Sequence, residues 1–210
     1  MLKKLTTLLI GLLAVCTISA KESEEELVRK SFNNYKSAIL NDRGEEAVKF
    51  VDSNTIKYYS EILEKTKTAK PAEVKSLGLM DRLMVLAIRH RASKSNILSF
   101  DGKALLVYAI KEGMVGKNSV KNNSIGKVKV NGNFATGNML VNGQATPLDF
   151  QFNKENGTWK VDLTAIFPAG TMAFKEMQKN SGKDENEFLM MLLEMASGKK
   201  PKDDIWNELE

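Results

Sequence analysis

Asn156-Gly157-Thr158-Trp159-Lys160-Val161-Asp162-Leu163 joins a tight-turn dipeptide to a stretch in which apolar and polar residues alternate. Asn-Gly tolerates the positive φ angles of a type I′ turn, whose twist matches that of paired antiparallel strands. Trp159, Val161 and Leu163 then share one face, opposite Lys160, Asp162 and Thr164, as in a strand with one side on a core and one in water. The same pattern runs upstream. Leu148, Phe150 and Phe152 alternate with Asp149, Gln151 and Asn153, and Val128 and Val130 lie between lysines. Further turn dipeptides at Asp101-Gly102, Asn131-Gly132 and Asn142-Gly143 divide the chain from Ile97 onward into five short runs. The run Ala104 to Ile110 is apolar on both faces and is expected as a central or covered strand. Gly113, Gly116 and Gly137 are candidate bulges that would bend the sheet.

Before this region the period is helical. Ser23 with Glu26 forms a capping box, and Leu27, Val28, Phe32, Tyr35 and Ile39 fall on one face. Gly44 ends that helix, and Ala47, Val48 and Val51 suggest a further turn or two. Ser53 and Asn54 are placed to cap the next helix, with Ile56, Tyr59, Ile62 and Leu63 as its buried stripe. Pro71 suits the first turn of a fourth helix, which passes a break at Gly78 and runs through Leu79, Leu83, Leu86 and Ala87 to about Arg91. After Pro168 the chain turns helical again, and Asp184 or Asn186 starts a helix that ends at Gly198. The expectation is an α+β fold: N-terminal helices packed on a curved antiparallel meander over residues 21–168, with a helical extension over 169–210.

Helices followed by a meander that closes on Gly157-Thr158-Trp159-Lys160-Val161-Asp162 resemble the nuclear transport factor two-like superfamily, the cystatin-like cone folds. The likeness covers roughly residues 23–165 and is nearest to small secreted bacterial members with no assigned chemistry. It implies helices on the concave side of the sheet around a cone-shaped pocket, a natural place for a small apolar ligand. It implies no particular activity, because one superfold hosts many. Dimers through the sheet face are common in the superfamily, so a homodimer stays open.

The N-terminus reads as an export signal over residues 1–20. Lys3 and Lys4 precede an apolar run from Leu5 to Ile18, and Ser19 and Ala20 are small residues suited to a signal peptidase. The run is short for a spanning helix, which wants about 20 apolar residues. Leu13-Ala14-Val15-Cys16 resembles a lipidation box, but Val15 is bulky where a small residue is usual. Cleavage after Ala20 is therefore expected, giving a periplasmic or extracellular protein; a membrane tie arises only if Cys16 is lipidated. Cys16 is the single cysteine, so the cleaved chain has no disulfide and depends on its core. Loss of Lys3 and Lys4 takes the formal charge from +5 to +3, a mild and dispersed excess that points to no nucleic-acid partner.

Candidate chemistry is sparse. His90, the single histidine, lies between Arg89 and Arg91; it could be a proton shuttle or an anion contact, but basic residues at a helix end usually serve the dipole. One histidine and no mature cysteine exclude ordinary His/Cys zinc clusters, and no glycine-rich loop opens a helix for a nucleotide, so neither metal nor cofactor is expected. Asp149 and Asp162 could pair, although alternation turns both to water. Tyr58, Tyr59 and Tyr108 are candidates to line a pocket with phenols. The leading expectation is an exported, non-catalytic binding or interaction module for a small apolar ligand or a protein partner. The alternatives are a small isomerase, cyclase or hydratase using His90 or an acidic pocket residue, and a protein-binding inhibitor or immunity factor. The last would use Ile205, Trp206 and Leu209 as an exposed patch.

Overall fold

The computed structural model describes residues 22–115 and 117–209. The segment over residues 1–20 that is expected to be an export signal, with Cys16 and Ala20, and Gly116 lie outside the described residues. The first half is helical: α1 (Glu24–Leu40), α2 (Gly44–Ala47), α3 (Ser53–Thr68), α4 (Pro71–Ser76), α5 (Leu79–Arg91), α6 (Lys94–Ser99), α7 (Gly102–Lys111) and α8 (Asn118–Lys121). A meander follows, β1 (Asn123–Asn131), β2 (Phe134–Val141), β3 (Gln144–Glu155) and β4 (Thr158–Asp162), and then α9 (Phe167–Ser181) and α10 (Glu185–Ser197). The chain is thus α+β, with one antiparallel sheet in the order β1-β2-β3-β4 and a helical extension at its C-terminal end.

The three Asn-Gly signals turn the hairpins. Asn142 and Asn156 hold φ of 52° and 50°, each followed by a glycine at positive φ. Register shifts fall between Ile125 and Val128 and between Asn138 and Leu140, beside Gly137 and not on it. Gly113 lies outside the sheet, just beyond α7.

The inner face of the sheet is covered by α1. The capping box at Ser23 and Glu26 starts that helix, and its face of Val28, Phe32, Tyr35 and Ile39 is buried. Phe32 meets Phe150 at 4.6 Å between ring centroids, and the Ser31 hydroxyl donates to the Trp159 carbonyl at 2.6 Å. The Trp159 indole N–H donates to Glu24 at 2.7 Å, and Lys154 pairs with the same carboxylate. The face where the resemblance implies a cone-shaped pocket is therefore filled at its centre by α1 side chains.

Two local readings are corrected. The run Ala104–Ile110 is helix α7, and Ile97 lies in helix α6, so the meander has four strands and begins at Asn123. A short run apolar on both faces does not distinguish a covered strand from a buried helix. Here Asp101 decides: its carboxylate accepts from the Ala104 N–H at 2.7 Å, so Asp101-Gly102 is a helix start and not a hairpin turn. Likewise α3 is capped by Asp52 and not by Ser53 or Asn54. The fully buried Asp52 carboxylate accepts from the Thr55 N–H at 2.9 Å and from the Asn153 side chain at 2.8 Å, tying α3 to β3.

The C-terminal extension shares the main core, which includes Leu189, Leu193 and Ile205. Two arginines of α5 hold it. Arg82, 7 % exposed, donates to Asn186 at 2.9 Å and pairs with Glu185 at 3.2 Å. Arg89 donates to the carbonyls of Thr66, Ala69 and Trp206 at 2.8–2.9 Å, gathering the end of α3 and the last turn of the chain.

Helix α7 approaches α3 so closely that only glycine fits at position 102. A Cβ there would lie 2.6 Å from the Ser60 nitrogen and 2.8 Å from the Ile56 carbonyl oxygen, both backbone atoms. Gly102→Ala should therefore destabilise the protein by about 1–3 kcal/mol as the two helices are forced apart. Urea unfolding at fixed m-value measures this, and a loss smaller than that of an exposed Gly→Ala control would contradict the packing.

Candidate functional site

Helix α5 is apolar on more of its circumference than one core requires. Leu79, Val85, Leu86 and Ile88 are buried, yet Met80, Leu83, Met84 and Ala87 are also apolar and only half-buried. A helix apolar nearly all round needs cover on every side. On this second face α7, α9 and α10 supply it incompletely, leaving a half-open chamber of about 510 Å³.

From α5 come Met80, Leu83, Met84, Ala87 and Arg91; α7 adds Leu105 and Ala109, with Met114 just beyond it. Helix α9 contributes Phe167, Gly170 and Phe174, spaced to share one face, and α10 contributes Leu192, Leu193 and Ala196. The wall made by α9 is the least embedded, since no residue of that helix is buried. Met172, on its opposite side, and Met177, one turn beyond Phe174, are both exposed. Gly170 keeps α9 near α5: a Cβ at this position would stand 3.2 Å from the Met80 methyl.

Two polar groups interrupt the apolar lining. The Tyr59 hydroxyl has no hydrogen-bond partner among the described residues, and burial raises its pKa from 10.0 to about 12, so the phenol is neutral across the physiological range. Arg91 is the one charged residue of the lining. Its guanidinium donates to the Glu112 carbonyl at 2.6 Å. No carboxylate pairs with it among the described residues.

The other sequence candidates lie around this chamber. Tyr58 packs on Phe167 at 4.9 Å and donates to Asp81 at 2.8 Å; burial and the Asp81 carboxylate push its pKa well above the usual range. Tyr108 donates to the Arg91 carbonyl at 3.2 Å and stacks on Phe100, outside the lining. His90 faces the other side of α5, toward a more polar cleft of about 620 Å³ with Lys94, Lys199, Lys200 and Lys202. Its Nε2 lies 2.8 Å from the Ser197 hydroxyl. That hydroxyl's single proton already faces the carbonyls of Leu193 and Lys199 at 2.7 and 3.0 Å, so Nε2–H is the donor and His90 ties α5 to α10.

Asp162 accepts from the Thr164 backbone and hydroxyl at 2.8 and 2.6 Å, and Asp149 accepts from Asn138 at 3.3 Å. Neither aspartate lines the chamber. Ile205 is buried, and Trp206 and Leu209 pack against the core, so these three residues form no exposed apolar patch.

Among the described residues no group of three or more His, Cys, Asp or Glu side chains is placed to hold a metal ion, and no helix is long and apolar enough to cross a membrane. No protein-family model matches the chain, and no curated protein is detectably similar to it.

The buried tyrosines carry a pH signature. A phenol whose folded pKa is raised contributes stability that is present below about pH 10 and lost as pH rises through the folded value, for Tyr59 about 12. At about pH 11 the native protein should show less tyrosinate absorbance than the urea-unfolded chain. In Tyr59→Phe that shortfall should shrink; equal absorbance in native and unfolded wild type would contradict the burial.

Proposed function

We propose that the chain is an exported binding module whose site is the apolar chamber between α5, α7, α9 and α10. The carrying observation is the lining itself: three methionines, two phenylalanines and a set of aliphatic side chains around about 510 Å³, interrupted by Tyr59 and Arg91. Cavities of this size and character suit a drug-sized apolar ligand, on the order of 300–1,000 Å³ being usual. Methionine walls adapt to ligands of different shape, because the thioether is flexible and polarisable. The reading favours binding over catalysis because His90 and Asp162 are engaged elsewhere and no acid–base pair faces the chamber. Export rests on the leader pattern at residues 1–20, with Lys3 and Lys4 ahead of the apolar run.

A neutral solvatochromic dye tests the site without favouring any charge. Nile red should bind the mature protein with a blue-shifted emission, and Ala87→Trp, which fills the chamber from α5, should weaken binding by about tenfold or more. Ala196→Trp fills it from an exposed position on α10 and serves as a second variant in case the first perturbs folding. Absence of dye binding to folded wild type, or unchanged affinity in both variants, would refute the reading.

A further inference from the structure

The lone charge on the chamber wall carries more than an apolar site requires. Arg91 is the last residue of α5 and stands where that helix, α7 and α10 converge. A guanidinium offers five N–H donors. One serves the Glu112 carbonyl at 2.6 Å, and the main chain of Arg91 is itself fixed by the Tyr108 hydroxyl at 3.2 Å. Its charge is uncompensated by any carboxylate among the described residues, whereas elsewhere Lys65 pairs with Asp81 and Arg82 with Glu185. A cation beside apolar walls is stabilised by an anion that the same walls help to desolvate, and guanidinium binds carboxylates through paired N–H donors.

Resting on the reading of the chamber as the binding site, we infer that its ligand is a single-chain anionic amphiphile. The alkyl chain lies along Met80, Met84, Phe167 and Phe174, and the carboxylate head meets Arg91. A neutral hydrocarbon would fill the same space but leave the guanidinium without a counter-charge. The assignment is to a small molecule; a second copy, whose exposed apolar side chains include Phe134, Met172, Met177 and Met195, is the competing occupant that the measurements below separate.

Displacement of Nile red by two probes of equal chain length, dodecanoate and dodecanol, isolates the head group. Dodecanoate should bind at least about tenfold more tightly than dodecanol at neutral pH and moderate salt. Arg91→Leu should remove the preference, and Arg91→Lys should restore part of it, retaining the charge but losing the paired geometry. Thermal melts of the variants verify that each is folded. Equal affinity of wild type for the two probes, or an undiminished preference in folded Arg91→Leu, would overturn the head-group inference while leaving the chamber intact. If the dye and both probes fail to bind, the chamber reading itself falls and this inference falls with it. A sedimentation measurement completes the set: a dimer that Ala196→Trp dissociates would make a second copy the occupant and overturn the assignment.

Discussion

Helix α5 holds the described chain together through two guanidinium groups set two turns apart on its surface. Arg82 reaches the first residues of α10, and Arg89 collects backbone carbonyls from the end of α3 and from the closing turn. The carbonyls at a helix C-terminus have no partners within the helix, so a half-buried guanidinium among them satisfies groups that would otherwise cost free energy. Burial lowers the Arg89 pKa, while the nearby Glu208 carboxylate acts against that shift. The Arg82 bonds, with the buried Phe188, Leu189 and Leu193, place α10, and the second apolar face of α5 is roofed only in part.

Different parts of the fold were legible to different degrees. Capping and alternation announce α1 and the strands β1, β3 and β4, because the signals are local: a Ser-x-x-Glu box, Asn-Gly turns and period-two patterning. Helix α7 resembles a covered strand in sequence because apolar side chains also occupy its half-buried positions Ala104, Val107 and Tyr108, and because Asp-Gly serves helix starts as well as hairpins. The run Asp52-Ser53-Asn54 offers three adjacent cap-forming residues, and Asp52 is the one that caps α3, through the Thr55 N–H. Its second bond, from Asn153 about a hundred positions away, has no local signature.

The candidate site was the least legible part. Its walls come from α5 and α7, from α9 and α10 much later in the chain, and from Tyr59 of α3, and no motif spans them. Tyr59 could be picked out as a phenol, but not the cavity beside it. In the sequence Arg91 is one of three consecutive basic residues at a helix end, and spacing alone does not separate it from Arg89 and His90. The structure gives the three consecutive residues different tasks: Arg89 binds carbonyls, His90 binds Ser197, and Arg91 borders the chamber. One signal was available. Met80, Met84 and Ala87 form a second apolar stripe on a helix already supplied with a first, and such an excess implies something further to cover it.

The thioethers of Met80, Met84 and Met114 give the chamber wall a redox chemistry of its own. Oxidation to the sulfoxide turns a flexible apolar side chain into a polar, chiral one without breaking any backbone bond. Three such changes would wet the interior of the cavity while leaving α5 and its arginine bonds in place. Met172 and Met177, also on α9, are far more exposed and would meet an oxidant first. The capacity of the chamber for hydrocarbon is thus tied to the oxidation state of sulfur, in a chain whose single cysteine falls within its expected leader.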